Sequence, residues 1–275
     1  MKTILLSLSI FCLSPAQSQH FYKDIIGTKE TTELIRLYKN NKVRSVQLNS
    51  YDADNTKNEG FLVEQVFNPA SLKTITRSGD EETSTLVSFI NEQGQVIKTV
   101  DSSSAMISTT IYTYNPSGNL ASITSTSGSA SGSFTQTEEH KWEWDGAKIL
   151  RMLRIKNKLD TSIVSFVLDE KGNVTEERSS RNGVTSEPVY YYWDAQNRLT
   201  DVVRFHTKSK RLLPEYMFEY SPGHQVIQKI TVPANNSNYL IWRYQYGSDG
   251  LKTREAIYTK QKELTGKIDY IYQKG

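Results

Sequence analysis

Residues 112–120, Tyr112-Thr113-Tyr114-Asn115-Pro116-Ser117-Gly118-Asn119-Leu120, read as the end of one β-strand, a tight turn and the start of the next. Tyr112 and Tyr114 alternate with Thr113, the period of two expected of a strand with one buried face. Asn115 at the first turn place, Pro116 at the second and Gly118 at the fourth is the order a type I turn closed by a left-handed bulge residue requires. Such a turn predicts Tyr114 opposite Leu120 as a cross-strand pair on one face.

The same unit recurs along the chain. Ile90-Asn91 to Val96, Leu168-Asp169-Glu170-Lys171-Gly172-Asn173-Val174, Trp193-Asp194 to Leu199 and Tyr220-Ser221 to Val226 all fit it. Shorter copies begin at Phe67, Trp144 and Tyr246. Leading residues fall at 67, 90, 114, 144, 168, 193, 220, 246 and 272, with spacings of 23, 24, 30, 24, 25, 27, 26 and 26. A period that steady marks a repeat architecture. Asn197 and His224 stand where the other copies have Gly; both types tolerate positive φ. Asn115, Gly118, Asp169, Gly172, Asp194 and Asn197 are therefore read as turn-forming, and Trp193–Leu199 and Tyr220–Val226 as further cross-strand pairs. Alternation in Tyr216-Phe218-Tyr220, Leu240-Trp242-Tyr244-Tyr246 and Ile268-Tyr270-Tyr272 gives one aromatic face and one mixed to polar face.

These observations predict a mainly all-β fold. Tandem antiparallel hairpins form one long curved or rolled meander sheet of about 17 strands, preceded by one short helix. That helix is expected between Gly27 and Val43, capped by Thr28 and stopped at Asn40-Asn41, with Leu34, Leu37 and Tyr38 on one face. Residues 125–136, rich in Ser, Gly and Thr, are expected to be a long mobile loop. The domain reading is a leader (1–18), an N-terminal segment with the helix (19–42) and one repeat domain (43–275).

The unit in 112–120 and in 191–199 resembles the YD repeat, Tyr-x-Tyr-Asp-x-x-Gly-x-Leu, of the Rhs and teneurin-like families. The resemblance covers roughly residues 60–272. It implies strands that spiral into a shell and repeats that are not themselves catalytic. The chain is far shorter than an encapsulating Rhs protein and lacks the Asp-Pro-containing core motif and the toxin domain, so toxin delivery is not implied. It is most similar to small exported YD-repeat proteins of Gram-negative envelopes.

Residues 1–18 have the make-up of a secretory leader: Lys2, the apolar run Ile4–Leu13, then Pro15 and the small-x-small Ala16-Gln17-Ser18. Cleavage is expected between Ser18 and Gln19, placing the protein in the periplasm or outside the cell. Cys12, the single cysteine, has Phe11 rather than a small residue before it, which argues against lipid attachment. No later segment is apolar enough to span a bilayer as a helix. An outer-membrane barrel is disfavoured by charges such as Glu219, Arg243 and Asp269 on the second face. With 33 Lys and Arg against 30 Asp and Glu, the chain lacks the basic excess of a nucleic-acid binder; the patches 208–211 and Lys260/Lys262 read as solvated loops.

Little here speaks for catalysis. The histidines at 20, 140, 206 and 224 have no metal-ligand spacing, and no phosphate loop, dinucleotide fingerprint or nucleophile elbow is present. No metal or cofactor is implied. The carboxylate pairs Glu81-Glu82, Glu138-Glu139 and Glu176-Glu177 sit on strands, where neighbours point to opposite faces and do not converge. The aromatic face serves as core or as a ligand platform, with Tyr112, Tyr114, Tyr191, Trp193, Phe218, Tyr220, Trp242 and Tyr244 as the candidate binding residues. The leading functional reading is an exported, non-catalytic binding or scaffold module whose partner is an envelope polysaccharide or protein. The alternatives are a rolled-sheet carrier of an apolar small molecule, with the helix as its plug, and a carbohydrate hydrolase.

Overall fold

A computed structural model describes residues 20–79, 82–206, 209–233 and 238–275. The leader, Cys12, Ser18, Gln19, Glu81 and Lys208 lie outside these residues. After helix α1 (Lys23–Asn40) come β1 (Val43–Asp52), β2 (Lys57–Asn68), β3 (Ser71–Ser78), β4 (Glu82–Ile90), β5 (Val96–Ser102) and β6 (Met106–Tyr114). Then follow β7 (Leu120–Ser129), β8 (Thr135–Asp145), β9 (Lys148–Lys156), β10 (Asp160–Leu168), β11 (Val174–Arg181), β12 (Val184–Thr185) and β13 (Val189–Trp193). The last six are β14 (Leu199–His206), β15 (Arg211–Tyr220), β16 (Val226–Thr231), β17 (Leu240–Tyr246), β18 (Lys252–Tyr258) and β19 (Leu264–Lys274). The two residues of β12 and the start of β13 both pair with β11, so they are two pieces of one interrupted strand.

The sheet closes. β1 pairs antiparallel with β19, from Val46 opposite Tyr272 to Asp52 opposite Gly266. This corrects the expected open, rolled meander: the chain is an antiparallel β-barrel of eighteen staves with one short helix. The physical reason is that closure leaves no edge strand with unpaired backbone groups.

The repeat turns have the geometry that their residues dictate. Gly94, Gly118 and Gly172 have φ near +80°, and Asn197 and His224 take φ +59° and +65° in the same place. The Asp or Asn at the first place caps its own turn: Asn115 Oδ1 accepts from the amides of Ser117 and Asn119, and Asp169 and Asp194 do the same. Tyr114 faces Leu120, Trp193 faces Leu199 and Tyr220 faces Val226.

Two kinds of bond link neighbouring hairpins. The aromatic leader donates to the backbone carbonyl at the first residue of the previous return strand: Tyr114 to Val96, Trp144 to Leu120, Trp193 to Val174, Tyr220 to Leu199, Tyr246 to Val226 and Tyr272 to Lys252, all at 2.7–2.8 Å. Each of those hairpins carries a bulge beside that pair, where the ladder is interrupted and a carbonyl needs an outside donor. This is why the leading place favours Tyr and Trp over Phe. The polar residue before the aliphatic reaches the next turn, as Gln95 does to the Gly118 carbonyl and Arg198 to that of Ser221.

The expected loop at 125–136 is a correction. β7 runs to Ser129 and β8 starts at Thr135, leaving only a short turn between them. Hydroxyl pairs across the strands, Thr110–Ser125 and Ser108–Ser127, both 2.9 Å, hold this polar stretch in the sheet.

Helix α1 starts earlier than expected. Thr28 lies inside it and back-bonds to the carbonyls of Asp24 and Ile25, and no side chain within the helix caps its start. At the other end Asn41 has φ −89°, and the left-handed residue is Lys42, φ +53°. The N-terminal half packs with Leu120, Ile149, Val174 and Leu199, and the C-terminal half with Ile90, Val96 and Leu251. All seven residues flank repeat turns, on opposite sides of the ring. The helix therefore lies across the barrel mouth at the repeat-turn rim.

Candidate functional site

Each end of α1 is pinned by side chains of the barrel wall. Glu177, 2 % exposed, accepts the backbone amides of Phe21 (2.7 Å) and Tyr22 (2.9 Å) and the hydroxyl of Tyr191 (2.8 Å). It does the work of an N-cap from the far side of the sequence. Burial raises the Glu177 carboxyl pKa, against the pull of those three donors. One turn on, His140 donates to Asp24 (2.5 Å) and to Glu138 (2.8 Å), and Arg154 grips Glu138 through two bonds of 2.9 and 3.0 Å. Burial alone would lower the His140 pKa, but Asp24 and Glu138 outweigh it and lift it to about 9. Burial would likewise raise Glu138, and the bonds from His140 and Arg154 bring it down to about 2. At the C-terminal end the Tyr38 hydroxyl donates to Gln65 Oε1 at 2.8 Å, with the rings of Phe67 and Tyr272 edge-on to it.

Between these anchors, the side of α1 toward β15–β18 carries Glu30, which is exposed. The wall there places Phe218, Lys229 and Trp242 opposite one another in a row across β15, β16 and β17. All three are half-buried. Lys229 Nζ lies 5.1 Å from the centre of the Tyr216 ring, and Trp242 anchors its indole N–H on Thr231 Oγ1 at 3.3 Å. Between the row and the repeat-turn rim, Lys252 sits over Tyr244 (4.5 Å) and pairs with buried Glu255 at 3.1 Å. Protein crowded around the two charges raises the Glu30 pKa, although its side chain reaches solvent, and lowers that of half-buried Lys229, each charge partly offsetting the other's shift. The two are within electrostatic reach of each other without forming an ion pair.

The eight aromatic residues expected to bind ligand divide three ways. Tyr114, Trp193 and Tyr220 use their polar atoms on hairpin carbonyls, and Tyr191 uses its hydroxyl on Glu177. Phe218, Trp242 and Tyr244 line the strip facing Glu30, while Tyr112 packs against both core clusters. Glu30, Lys229, Glu177, His140 and Asp24 were not singled out from the sequence as binding or anchoring groups. The usable signal was parity: Glu138 and His140 share the alternation of Trp142 and Trp144, so charge sits on the inward face. The two carboxylate pairs that fall wholly within the described residues diverge: Glu138 turns to His140 and Glu139 to Lys141, Glu177 inward and Glu176 to Arg178. A hollow of about 370 Å³ at the same rim is lined by Gln196, Arg198, Tyr220, Ser221, Pro222 and His224.

Asp24 and Glu138 hold opposite edges of the His140 ring and do not converge. Among the described residues no group of three or more His, Cys, Asp or Glu is placed to share a metal ion. Among them, too, no helix is long and apolar enough to cross a membrane.

No protein-family model matches the sequence, and no curated protein does. Among solved structures the chain is similar to a porin-like protein from Bacteroides uniformis, at 8% identity and TM-score 0.43, over 84% of this chain and 98% of that one. A porin-like protein from Bacteroides vulgatus matches over the same shares at 12% identity and TM-score 0.20. The Tc holotoxin pore of Photorhabdus luminescens matches at 13% identity and TM-score 0.35, over 74% of this chain and 12% of that one. None of these likenesses assigns this chain an activity.

Proposed function

We propose that the protein is an exported, non-catalytic binding module of the cell envelope, and that its partner is a polysaccharide taken up at the rim spanned by α1. The observation that carries this reading is the strip between α1 and β15–β18, where aromatic rings and unpaired polar groups face each other across the helix side. Residues 1–18 support export. The turn geometry and the leader-to-carbonyl bonds support a YD-type repeat unit.

The outer face along β8 and β9 speaks against a membrane-spanning pore. Glu139, Lys141, Glu143 and Arg151 point outward along β8 and β9 and pair with one another there. An Arg or Lys at the bilayer midplane costs a barrel about 2–4 kcal/mol. The mixture of rings and charges in the strip favours a polar partner over an apolar one.

Two measurements test the reading. Native mass spectrometry of the protein purified gently from its host envelope is expected to show a bound saccharide. Planar-bilayer recording is expected to show no channels. Steady single-channel conductance would overturn the proposal, as would a ligand-free protein that captures no envelope glycan.

A further inference from the structure

We infer that the row Phe218–Lys229–Trp242, with Glu30 facing it from α1, seats a neutral pyranose unit. This deepens the binding reading above and rests on it. Neighbouring strands lie about 4.8 Å apart, so the two rings flank the Lys229 stem on adjacent strands and stand roughly 10 Å from each other. Aromatic faces of this kind pack the apolar C–H face of a sugar, while the ring hydroxyls need donors and acceptors at the edge. Lys229 supplies donors and Glu30 supplies acceptors.

The charge count selects the class. Lys252 and Glu255 satisfy each other at 3.1 Å, which leaves Lys229 and Glu30 as the opposed charges of the strip. Their sum is zero. A free anion would be drawn to Lys229 and repelled by Glu30, whereas a hydroxyl pair satisfies both at once. Neither group makes an ion pair, so a sugar entering here breaks none. Lys229 Nζ lies over the face of Tyr216 instead, 5.1 Å from its centre.

The test is a calorimetric titration of the full chain, followed also by tryptophan fluorescence, with maltotriose, cellotriose and trigalacturonate. At least one neutral trisaccharide is expected to bind saturably, and at least tenfold more weakly in both Lys229→Met and Glu30→Gln. Both substitutions sit on half-buried or exposed positions, so unchanged melting curves are expected alongside. Binding of trigalacturonate alone would overturn the neutral class while leaving a saccharide-binding protein. Neutral binding untouched by either substitution would place the sugar elsewhere and refute this site. Failure of all three probes would refute the inference, whereas the broader reading stands or falls on the host-envelope and bilayer experiments.

Discussion

The hydroxyl of Tyr220 donates to the backbone carbonyl of Leu199 at 2.7 Å, joining one hairpin's leading residue to the bulge of the hairpin before it. Tyr220→Phe keeps the ring and removes the bond. The expected cost is about 1 kcal/mol, since a half-buried carbonyl loses its donor. Urea denaturation measures it, and an unchanged midpoint would show that water replaces the hydroxyl without loss.

Glu177 holds the start of α1 from 155 residues away in sequence. Glu177→Leu strands two backbone amides and the Tyr191 hydroxyl in a buried place. The expected destabilisation is roughly 3 kcal/mol, less than three full bonds because the buried carboxylate also costs desolvation. Cleavage by chymotrypsin at Phe21 and Tyr22 should accelerate before the barrel melts. Equal cleavage rates in the two proteins would mean that Glu177 does not hold the segment.

His140 makes the anchoring of α1 depend on pH. Its folded pKa of about 9 lies above the unfolded value of 6.5. The ionic contribution is therefore complete below pH 6.5 and is lost as the pH rises through 9. Glu138, at about 2 against 4.5, contributes fully above 4.5 and fades as the pH falls toward 2. Thermal melts from pH 6 to 10 should show a declining Tm, with a shallower decline in Asp24→Asn. A flat profile in the parent protein contradicts the assignment.

Barrel closure has a covalent test. Gln47 and Ile271 face each other across the β1–β19 seam. Antiparallel partners lie about 4.5–5.5 Å apart at Cα, inside the range of a disulfide. Gln47→Cys with Ile271→Cys is expected to lose its free thiols on mild oxidation without dimerising. Persistent thiols would indicate an open seam.

What the sequence makes legible is local. Asn115 with Gly118, or Asp194 with Asn197, specifies a turn and a register within a few residues, and those pairs hold. Closure is not local: Val46 meets Tyr272 only because eighteen staves, each twisted on the last, bring the ring around. Residues 125–136 look like a loop in composition, yet their hydroxyls find partners one strand away. The start of α1 is hidden for the same reason, since its cap is Glu177. At the candidate site, Trp242 and Phe218 are visible from alternation, whereas Lys229 and Glu30 gain meaning only when helix and wall are placed together.

The helix across the mouth has a mechanical consequence. Eighteen residues of α-helix form a rod of roughly 27 Å, held at one end through Glu177 and His140 and at the other through Gln65. A wide ring of strands has little resistance to becoming oval. The rod is a strut that fixes one diameter and leaves the perpendicular one compliant. The β15–β18 wall lies in that softer direction, so the gap between it and Glu30, the proposed sugar seat, is the dimension that the strut leaves unfixed.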